Sequence, residues 1–270
     1  MPSFRLAICQ LRVQADKEEN LARAREMILE AADNGARIVL LPEMFNCPYE
    51  DDCFAPYAET YPDGPSFKML ASTAAAAGVY LFGGSLPERD GERLFNACFV
   101  YGPDGKLLAR HRKVHLFDVT LDTLTFRESA TFAAGDTPTL VPTPLGKVGV
   151  AICYDIRFPE LARLMVLQGA EIFVVPAAFN TVTGPAHWEL LLRARAVDNQ
   201  VFVAGAAPAR NRHRRYETYG HSAVVDPWGS VIARAGAEEM ILYAELDLDR
   251  VRDVRQKLPL LMNRRPDIYG

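Results

Sequence analysis

The sequence predicts a mixed α/β protein in which two stacked β-sheets are covered by outer helices. Short β-branched runs alternate with helical patterns along the whole chain, two pairs of runs flank tight turns, and many runs are apolar throughout. A strand that is apolar on both faces is buried on both faces. Stacked sheets with outer helices provide such burial, whereas a single doubly wound sheet leaves the hairpins unexplained.

Strands and helices alternate in the first third of the chain. Leu21, Ala24, Met27, Ile28 and Ala31 recur at helical spacing, which predicts a helix over residues 17–34 that ends at Asn34-Gly35. The expected elements are a strand at Phe4–Cys9, this helix, a strand at Ile38–Leu41 stopped by Pro42, a helix at Ser66–Ala77 and a strand at Val79–Gly83.

The rest of the chain adds hairpins to this alternation. Gly102-Pro103-Asp104-Gly105 and Pro227-Trp228-Gly229 are tight-turn sequences between apolar runs. The expected elements are a hairpin of Leu94–Tyr101 and Lys106–Arg110, strands at Val148–Ile152, Glu171–Val175, Val201–Ala206 and Met240–Leu246, helices near Pro159–Gln168 and Ala186–Asn199, and a hairpin of His221–Asp226 and Ser230–Arg234. No repeat or linker divides them, so we expect one domain over residues 1–270.

The composition excludes several classes of partner and location. Thirty Lys and Arg against 34 Asp and Glu give a formal charge of −4, so neither a nucleic acid nor an anionic membrane is expected as the main partner. The longest apolar run, Ala74–Gly84, is well short of the roughly 18 residues of a membrane span. The N-terminus shows no signal-peptide pattern.

Five cysteines without a CxxC pair argue against a disulfide scaffold or a zinc site, and we expect reduced thiols in a cytoplasmic protein.

Cys153 is the first candidate for chemistry. It follows the apolar run Val148–Ile152 and precedes the helix expected near Pro159. It therefore lies at the carboxyl end of a buried strand, where α/β sheets bind ligands, and the helix N-terminus favours a thiolate. A lone cysteine is often only a small buried apolar residue, so the other motifs must decide between the two interpretations.

Three charged residues fit chemistry beside this cysteine. Glu43 follows the apolar run Ile38–Leu41 and Pro42, and Lys113 lies within a basic strand. Taken alone, both would be assigned to solvated segments, and Glu128 to the surface. Together with a thiol they form a hydrolytic set without histidine. The carboxylate takes the thiol proton and later protonates an amine leaving group, while the ammonium stabilises the developing oxyanion.

Three blocks of sequence resemble the signature blocks of the carbon–nitrogen hydrolase (nitrilase) superfamily. They are Leu41-Pro42-Glu43, Arg112-Lys113-Val114-His115 and the run from Ile152 to Glu160, and the resemblance extends to Arg264-Arg265-Pro266-Asp267. It implies an αββα four-layer sandwich of two mixed β-sheets flanked by helices, and a homodimer joined through helix faces. It also implies a Glu43–Lys113–Cys153 triad, Glu128 as an assisting second glutamate, and the Tyr154 backbone N–H beside Lys113 at the oxyanion.

Within the superfamily, the chain is most similar to ω-amidases, which hydrolyse the terminal amide of α-ketoglutaramate and α-ketosuccinamate. The resemblance rests on Ala178–Leu190, Arg195–Gln200, Asn46–Tyr49 and Pro208–Arg210. It implies that Arg157, Phe179 and Thr183 contact the substrate. One departure is Val119–Thr123, where relatives usually carry Pro-Gly after Phe117-Asp118; this segment bears on substrate preference.

The position of Arg157 supports the same role on physical grounds. It lies four residues after Cys153, where a planar guanidinium could grip a substrate carboxylate close to the thiol. The alternative is an arginine that only braces the triad.

Other polar motifs receive ordinary structural interpretations. His111 and His115 have a metal-like spacing, but no acidic third ligand follows in pattern, so no metal site is expected. The basic stretch Arg210–Arg215 is assigned to a solvated loop, with a pocket rim that attracts dianionic substrate as the alternative. Trp188 has helical spacing with Leu191 and Leu192, which favours a core or subunit contact. The chain lacks a Walker A motif and a GxGxxG motif.

These observations predict a cofactor-free cysteine amidase that acts on a small-molecule amide. The nearest alternative is an amidase for a larger α-keto amide such as deaminated glutathione. A true nitrilase is disfavoured, because the stretch around Phe179 resembles that of amide-hydrolysing enzymes. A catalytically silent interaction protein on the same fold is a further alternative, and the intact Glu–Lys–Cys set argues against it.

Overall fold

The computed structural model describes residues 3–121 and 124–269. Its first sheet has seven strands in the order β15-β1-β2-β3-β5-β4, with β6 paired to β5. These strands are β1 (Phe4–Gln10), β2 (Ala36–Leu40), β3 (Tyr80–Phe82), β4 (Leu86–Asp90), β5 (Arg93–Tyr101), β6 (Leu107–Arg112) and β15 (Met240–Leu246). Strands β1 to β3 run parallel, and β15, β5, β4 and β6 pair antiparallel with their neighbours. The sheet is therefore mixed.

The second sheet has six strands in the order β14-β13-β12-β11-β10-β9. They are β9 (Thr139–Thr143), β10 (Gly146–Val150), β11 (Ile172–Pro176), β12 (Phe202–Ala206), β13 (Ala223–Val225) and β14 (Val231–Arg234). The central strands β10, β11 and β12 are parallel. Strands β9 and β13 pair antiparallel with β10 and β12, and β14 pairs antiparallel with β13. A separate two-stranded hairpin joins β7 (Asp118–Leu121) to β8 (Leu124–Arg127).

Helices cover the outer face of each sheet. The described helices are α1 (Lys17–Asp33), α2 (Asp51–Tyr57), α3 (Pro65–Ala77), α4 (Pro159–Leu167), α5 (Thr183–Asn199), α6 (Asp249–Lys257) and α7 (Pro266–Tyr269). Asp16 caps α1, because its carboxylate accepts hydrogen bonds from the backbone N–H groups of Glu18 and Glu19. Within the described residues, no helix combines the length and the apolar character that crossing a membrane requires.

The alternating side chains of β1 show how the four layers pack. Leu6 and Ile8 belong to the core between the two sheets, together with Val148 of β10 and Val174 of β11. Ala7 and Cys9 point to the other face, where they pack with α1 and α3 residues such as Met27 and Leu70. Both faces of the strand are buried, as its apolar pattern predicts. The architecture is the predicted αββα sandwich.

The structure adds elements that the sequence patterns do not indicate. These are α2, β4, β7, β8, β9, α6 and α7, together with two 3-10 turns at Glu128–Ala130 and Cys153–Arg157. Helix α5 begins at Thr183, three residues before the expected start, since Asn180 accepts hydrogen bonds from the backbone N–H and the hydroxyl of Thr183. The first residues of the atypical segment Val119–Thr123 belong to β7. Asp122 and Thr123 lie outside the described residues.

Candidate active site

Four chain segments bring charged or nucleophilic side chains to one place. Glu43 follows β2, Lys113 directly follows β6, Glu128 begins the 3-10 turn after β8, and Cys153 begins the 3-10 turn after β10. Strands β2 and β6 belong to the first sheet and β10 to the second, so the site lies where the ends of the two sheets meet. All four residues are buried, at 6% exposure or less. Glu128, which its local sequence alone would assign to the surface, is therefore a buried residue.

A continuous network of hydrogen bonds joins the ammonium and the two carboxylates. Lys113 Nζ donates to Glu43 Oε1 at 2.9 Å and to Glu128 Oε2 at 2.8 Å. The Phe117 backbone N–H donates to Glu128 Oε2 at 2.7 Å. Glu43 Oε2 has no hydrogen-bond partner within the described residues. The network therefore holds Glu43 by one oxygen and leaves the other available for chemistry.

Asn96 completes this network, although no motif in the sequence singled it out. Its side-chain amide donates to Glu43 Oε1 at 2.8 Å and to Glu128 Oε1 at 2.9 Å. A signal was available, because Asn96 is the polar residue in the middle of the otherwise apolar run Leu94–Tyr101. A buried amide without partners is costly, so a polar residue in such a strand indicates a buried partner.

Burial and the neighbouring charges shift the pKa values of this cluster. Burial raises the pKa of Glu43 above its ordinary value, an effect that Lys113 opposes and Glu128 reinforces. Burial alone lowers the pKa of Lys113, but Glu128 and Glu43 outweigh it and hold that pKa well above the usual range. The lysine therefore stays an ammonium, and Glu43 is a stronger base than an ordinary glutamate.

The thiol of Cys153 differs from the expected thiolate. Burial and the charge of Glu43 raise its pKa well above the ordinary value, and they outweigh the lowering by Lys113. The turn that Cys153 begins is a 3-10 helix of five residues. The resting thiol is protonated, so attack by sulfur requires a base. Cys153 also has a left-handed backbone conformation, with φ of 47°, which is strained for a residue with a side chain.

Asp155 ties the Cys153 turn to the Lys113 segment. Its carboxylate accepts hydrogen bonds from the backbone N–H groups of Ile152 and His115, at 3.0 and 2.8 Å. The rings of His111 and His115 also contact it, at 3.3 and 2.8 Å. These contacts hold the pKa of Asp155 well below its ordinary value despite burial. The two histidines thus converge on an acid that their sequence pattern did not indicate, and they serve to anchor it.

A narrow cavity next to Cys153 brings together the residues expected to contact substrate. We name it the Cys153 cavity; its lining is Phe117, Cys153, Tyr154, Arg157, Phe179, Thr183 and Tyr216, and its volume is about 10 Å³. The guanidinium of Arg157 lies over the rings of Phe179 and Tyr154, at 5.0 and 5.7 Å from their centroids. A chain of several carbon atoms therefore needs these side chains to move apart as it enters.

Other residues singled out in the sequence lie outside this cavity. Trp188 is buried and donates from its ring nitrogen to the His221 carbonyl. The centroid of its ring lies 4.9 Å from that of Phe179, so it is a core residue.

Among the described residues, Glu50, Asp52 and Cys53 are near enough to one another to share a metal ion. Arg215 already pairs with this acidic group.

Comparison with known proteins gives a consistent result. A model of the carbon–nitrogen hydrolase family matches residues 5–256. The chain is 52% identical over 271 residues to Omega-amidase NIT2 of Danio rerio, covering all of this chain and 98% of that protein. It is 50% identical to Omega-amidase NIT2 of Homo sapiens with the same coverage. The crystal structure of Nit3 of Saccharomyces cerevisiae, a member of branch 10 of the nitrilase superfamily, superposes with a TM-score of 0.91 at 45% identity and covers 97% of each chain.

Proposed function

The chain belongs to the carbon–nitrogen hydrolase family, and from that premise we propose that it is a cysteine-dependent amidase of the ω-amidase type. It hydrolyses the terminal amide of α-ketoglutaramate and α-ketosuccinamate to the dicarboxylate and ammonia through a thioester. The names of relatives that are about half identical over the full chain support this substrate class. The observation that carries the chemistry is the buried Glu43–Lys113–Glu128 network beside Cys153.

In the first half of the reaction, Glu43 activates the thiol. Its free oxygen takes the thiol proton as sulfur attacks the amide carbonyl, since the raised thiol pKa leaves no thiolate in the resting state. Collapse of the tetrahedral intermediate breaks the carbon–nitrogen bond. Glu43 returns the proton to the departing nitrogen, and ammonia leaves.

Lys113 and the Tyr154 backbone N–H stabilise the oxyanion in this proposal. The ammonium of Lys113 is held by two carboxylates and remains charged. Tyr154 is the second residue of the 3-10 turn, and the first N–H groups of a helix have no partner within it. Donors held in place before reaction stabilise developing charge without reorganisation. Glu128 assists by holding Lys113 and by its charge next to Glu43.

Arg157, Thr183 and Phe179 select the substrate. The guanidinium binds the carboxylate at the far end of the chain, the Thr183 hydroxyl donates a second hydrogen bond, and Phe179 forms an apolar wall. All three line the Cys153 cavity, which supports this division of roles.

In the second half of the reaction, water attacks the thioester carbonyl and gives a proton to Glu43. The carbon–sulfur bond then breaks, and the sulfur regains its proton from Glu43.

We further propose that the protein acts as a homodimer in the cytoplasm. Helices α4 and α5 pack together and expose Leu164, Leu167, Leu190 and Val197. A second copy would cover these apolar side chains.

The cysteines support the proposed location. All five are unpaired, which fits a reducing compartment.

Ammonia release tests the proposed function. The wild-type protein should turn over α-ketoglutaramate and α-ketosuccinamate faster than deaminated glutathione or simple nitriles. Cys153→Ala should lose roughly 10⁴-fold or more of this activity with an unchanged fold, as expected when a nucleophile is removed. Cys98→Ala, a buried cysteine outside the site, is the matched control and should keep activity. Preferred turnover of deaminated glutathione would replace the substrate assignment, and a tenth of wild-type activity in Cys153→Ala would reject the nucleophile.

A further inference from the structure

A second cavity is lined by Glu43 and not by Cys153. We name it the Glu43 cavity; its lining includes Val13, Glu43, Tyr49, Asn211, Arg214 and Tyr216, and its volume is about 20 Å³. Tyr216 lines both this cavity and the Cys153 cavity. The Tyr216 hydroxyl donates to the Ala178 carbonyl at 2.8 Å, which holds the ring in place as a partition between them.

Two residues that line the Glu43 cavity carry a buried polar atom without a hydrogen-bond partner in the described part of the chain. Glu43 Oε2 and the Tyr49 hydroxyl have no hydrogen-bond partner within the described residues, and both residues are more than nine-tenths buried. Unpaired buried polar atoms are costly and are normally satisfied by a partner or a small polar molecule. A cavity of this volume has room for about one molecule the size of water or ammonia.

The Glu43 cavity adjoins a basin on the protein surface. It shares Asn211 and Arg214 with a surface basin of about 310 Å³, which Arg12, Arg210, Arg212 and His213 also line. Arg157 and Thr183 line neither the Glu43 cavity nor this basin. A path from Glu43 to solvent past Asn211 and Arg214 would therefore avoid the Cys153 cavity.

The chemistry proposed above needs such a route. At the thioester stage, the acyl chain fills the narrow Cys153 cavity, yet ammonia must leave and water must then reach the same carbonyl. Both molecules exchange a proton with Glu43, a residue that lines the Glu43 cavity and has one carboxylate oxygen without a hydrogen-bond partner among the described residues. We propose that the Glu43 cavity is the binding site for the leaving ammonia and then for the hydrolytic water, which Tyr49 holds beside Glu43 and which exchange with solvent past Asn211 and Arg214.

This inference rests on the proposed amidase function, and its steps balance. The carbon–nitrogen bond breaks as the nitrogen takes a proton from Glu43, so ammonia enters the cavity. Water replaces it, gives a proton to Glu43 and forms the new carbon–oxygen bond. The carbon–sulfur bond then breaks and the proton returns to sulfur.

Two variants test this route by acting on deacylation. Val13→Phe fills the cavity, and Tyr49→Phe removes its hydroxyl at constant shape. With α-ketoglutaramate, the thioester should accumulate in the steady state, which intact-protein mass spectrometry detects. Tyr49→Phe should slow deacylation roughly tenfold, the effect of losing one hydrogen bond to the water. Tyr101→Phe is the matched control, since its hydroxyl is also buried and unpartnered but lines neither cavity, and it should behave as wild type.

A second acyl donor separates failure of this inference from failure of the proposed function. p-Nitrophenyl acetate acylates a reactive thiol without an α-keto carboxylate, and the absorbance burst and the slower steady phase report acylation and deacylation separately. The variants should keep the burst and slow the steady phase, even if α-ketoglutaramate is not a substrate of the wild type. Unchanged deacylation in Tyr49→Phe, or equal losses of both phases, would overturn the inference. A thermal melt checks folding, and if Val13→Phe unfolds, Tyr49→Phe decides alone.

Discussion

Arg157 is the residue on which the substrate assignment depends most. Its guanidinium contacts the His187 ring at 3.3 Å and lies over two aromatic rings, and no ion pair to it is found among the described residues. A cation that is not neutralised by a carboxylate of the protein is available to a carboxylate of the substrate. The same residue could instead support the Cys153 turn, and the two roles predict different kinetics.

Substitution of Arg157 should discriminate between charged and neutral amides. Loss of one charged hydrogen bond costs roughly 10- to 150-fold in binding, so Arg157→Ala should lower kcat/KM for α-ketoglutaramate by that factor. Arg157→Lys keeps the charge but loses the planar fork and should remain impaired. A short neutral amide such as propionamide, a poor substrate already, should change little. Equal losses on both substrates would show that Arg157 supports the turn and does not bind the carboxylate.

The charge of Glu128 should affect the pH at which kcat/KM falls on the acid side of the profile, because it shifts the pKa of Glu43. Glu43 acts as a base only when ionised, and burial and the charge of Glu128 both raise its pKa. The acid limb of kcat/KM should therefore lie above the ordinary glutamate pKa of about 4.3. Glu128→Gln removes one raising effect, so the Glu43 pKa should fall and the acid limb should move to lower pH.

A buried glutamate outside the site provides the control for this shift. Glu88 is equally buried and pairs with Arg110 and Arg112. Glu88→Gln should leave the acid limb in place, although it removes an ion pair. An acid limb that stays fixed in Glu128→Gln would mean that the group titrating there is not Glu43.

At the scale of elements, the site depends on turns that follow strands. The segment Gly84-Ser85 packs against the residues that flank Glu43. The Ser85 backbone N–H donates to the Pro42 carbonyl at 3.1 Å, and its hydroxyl accepts from the Met44 backbone N–H at 3.1 Å. Gly84 has φ of 59°, and a Cβ there would lie 2.1 Å from the Pro42 carbonyl oxygen. This close approach requires glycine.

Gly84→Ala should therefore damage both stability and activity. The left-handed backbone alone costs alanine about 1–2 kcal/mol, and the overlap with Pro42 adds roughly 1–3 kcal/mol. A displacement of Glu43 by about 1 Å would lower kcat roughly 100-fold. Gly91 is the matched control, because its φ is 60° and no atom lies within 4 Å of the position that a Cβ would take there. Stability is measured by urea unfolding and activity by ammonia release for both variants. Gly91→Ala should lose only the stability that the left-handed backbone costs, and its activity should be unchanged.

At the scale of the whole molecule, the proposed dimer places α4 and α5 against a second copy. The side chain of Leu190 is 64% exposed, more than those of the other apolar residues on these two helices. If a second copy covers this leucine, the position is sensitive to charge, because an unpaired buried charge is strongly disfavoured.

Leu190→Glu should convert the protein to a monomer. Sedimentation velocity should show a dimer for the wild type and half that mass for the variant. Leu108 on β6 is also exposed, at 45%, and lies on the other sheet, so Leu108→Glu should remain dimeric. A wild-type monomer, or a Leu190→Glu dimer, would exclude this face as the interface.

Much of the fold follows from local patterns in the sequence. Helix α1, the parallel strands and both turn-marked hairpins were predicted within a few residues, because apolar periodicity reports burial directly. The αββα class and the family are confirmed by the fold and by the comparisons. Elements with weak local signals were missed: β4 is charged at its end, α2 contains Pro56, and the β7–β8 hairpin has little apolar periodicity. The single-domain organisation over residues 1–270 stays a prediction.

The sequence by itself determined the candidates Glu43, Lys113 and Cys153, since residue type, strand-end position and the signature blocks are properties of short segments. Only the tertiary structure decided that Glu128 and Asn96 are buried in the same network, that His111 and His115 anchor Asp155, and that burial keeps the thiol protonated. Each of these depends on residues far apart in the chain: Asn96 lies 53 positions from Glu43. Burial and pKa arise from the neighbours that the two sheets bring together, and no local pattern encodes those neighbours.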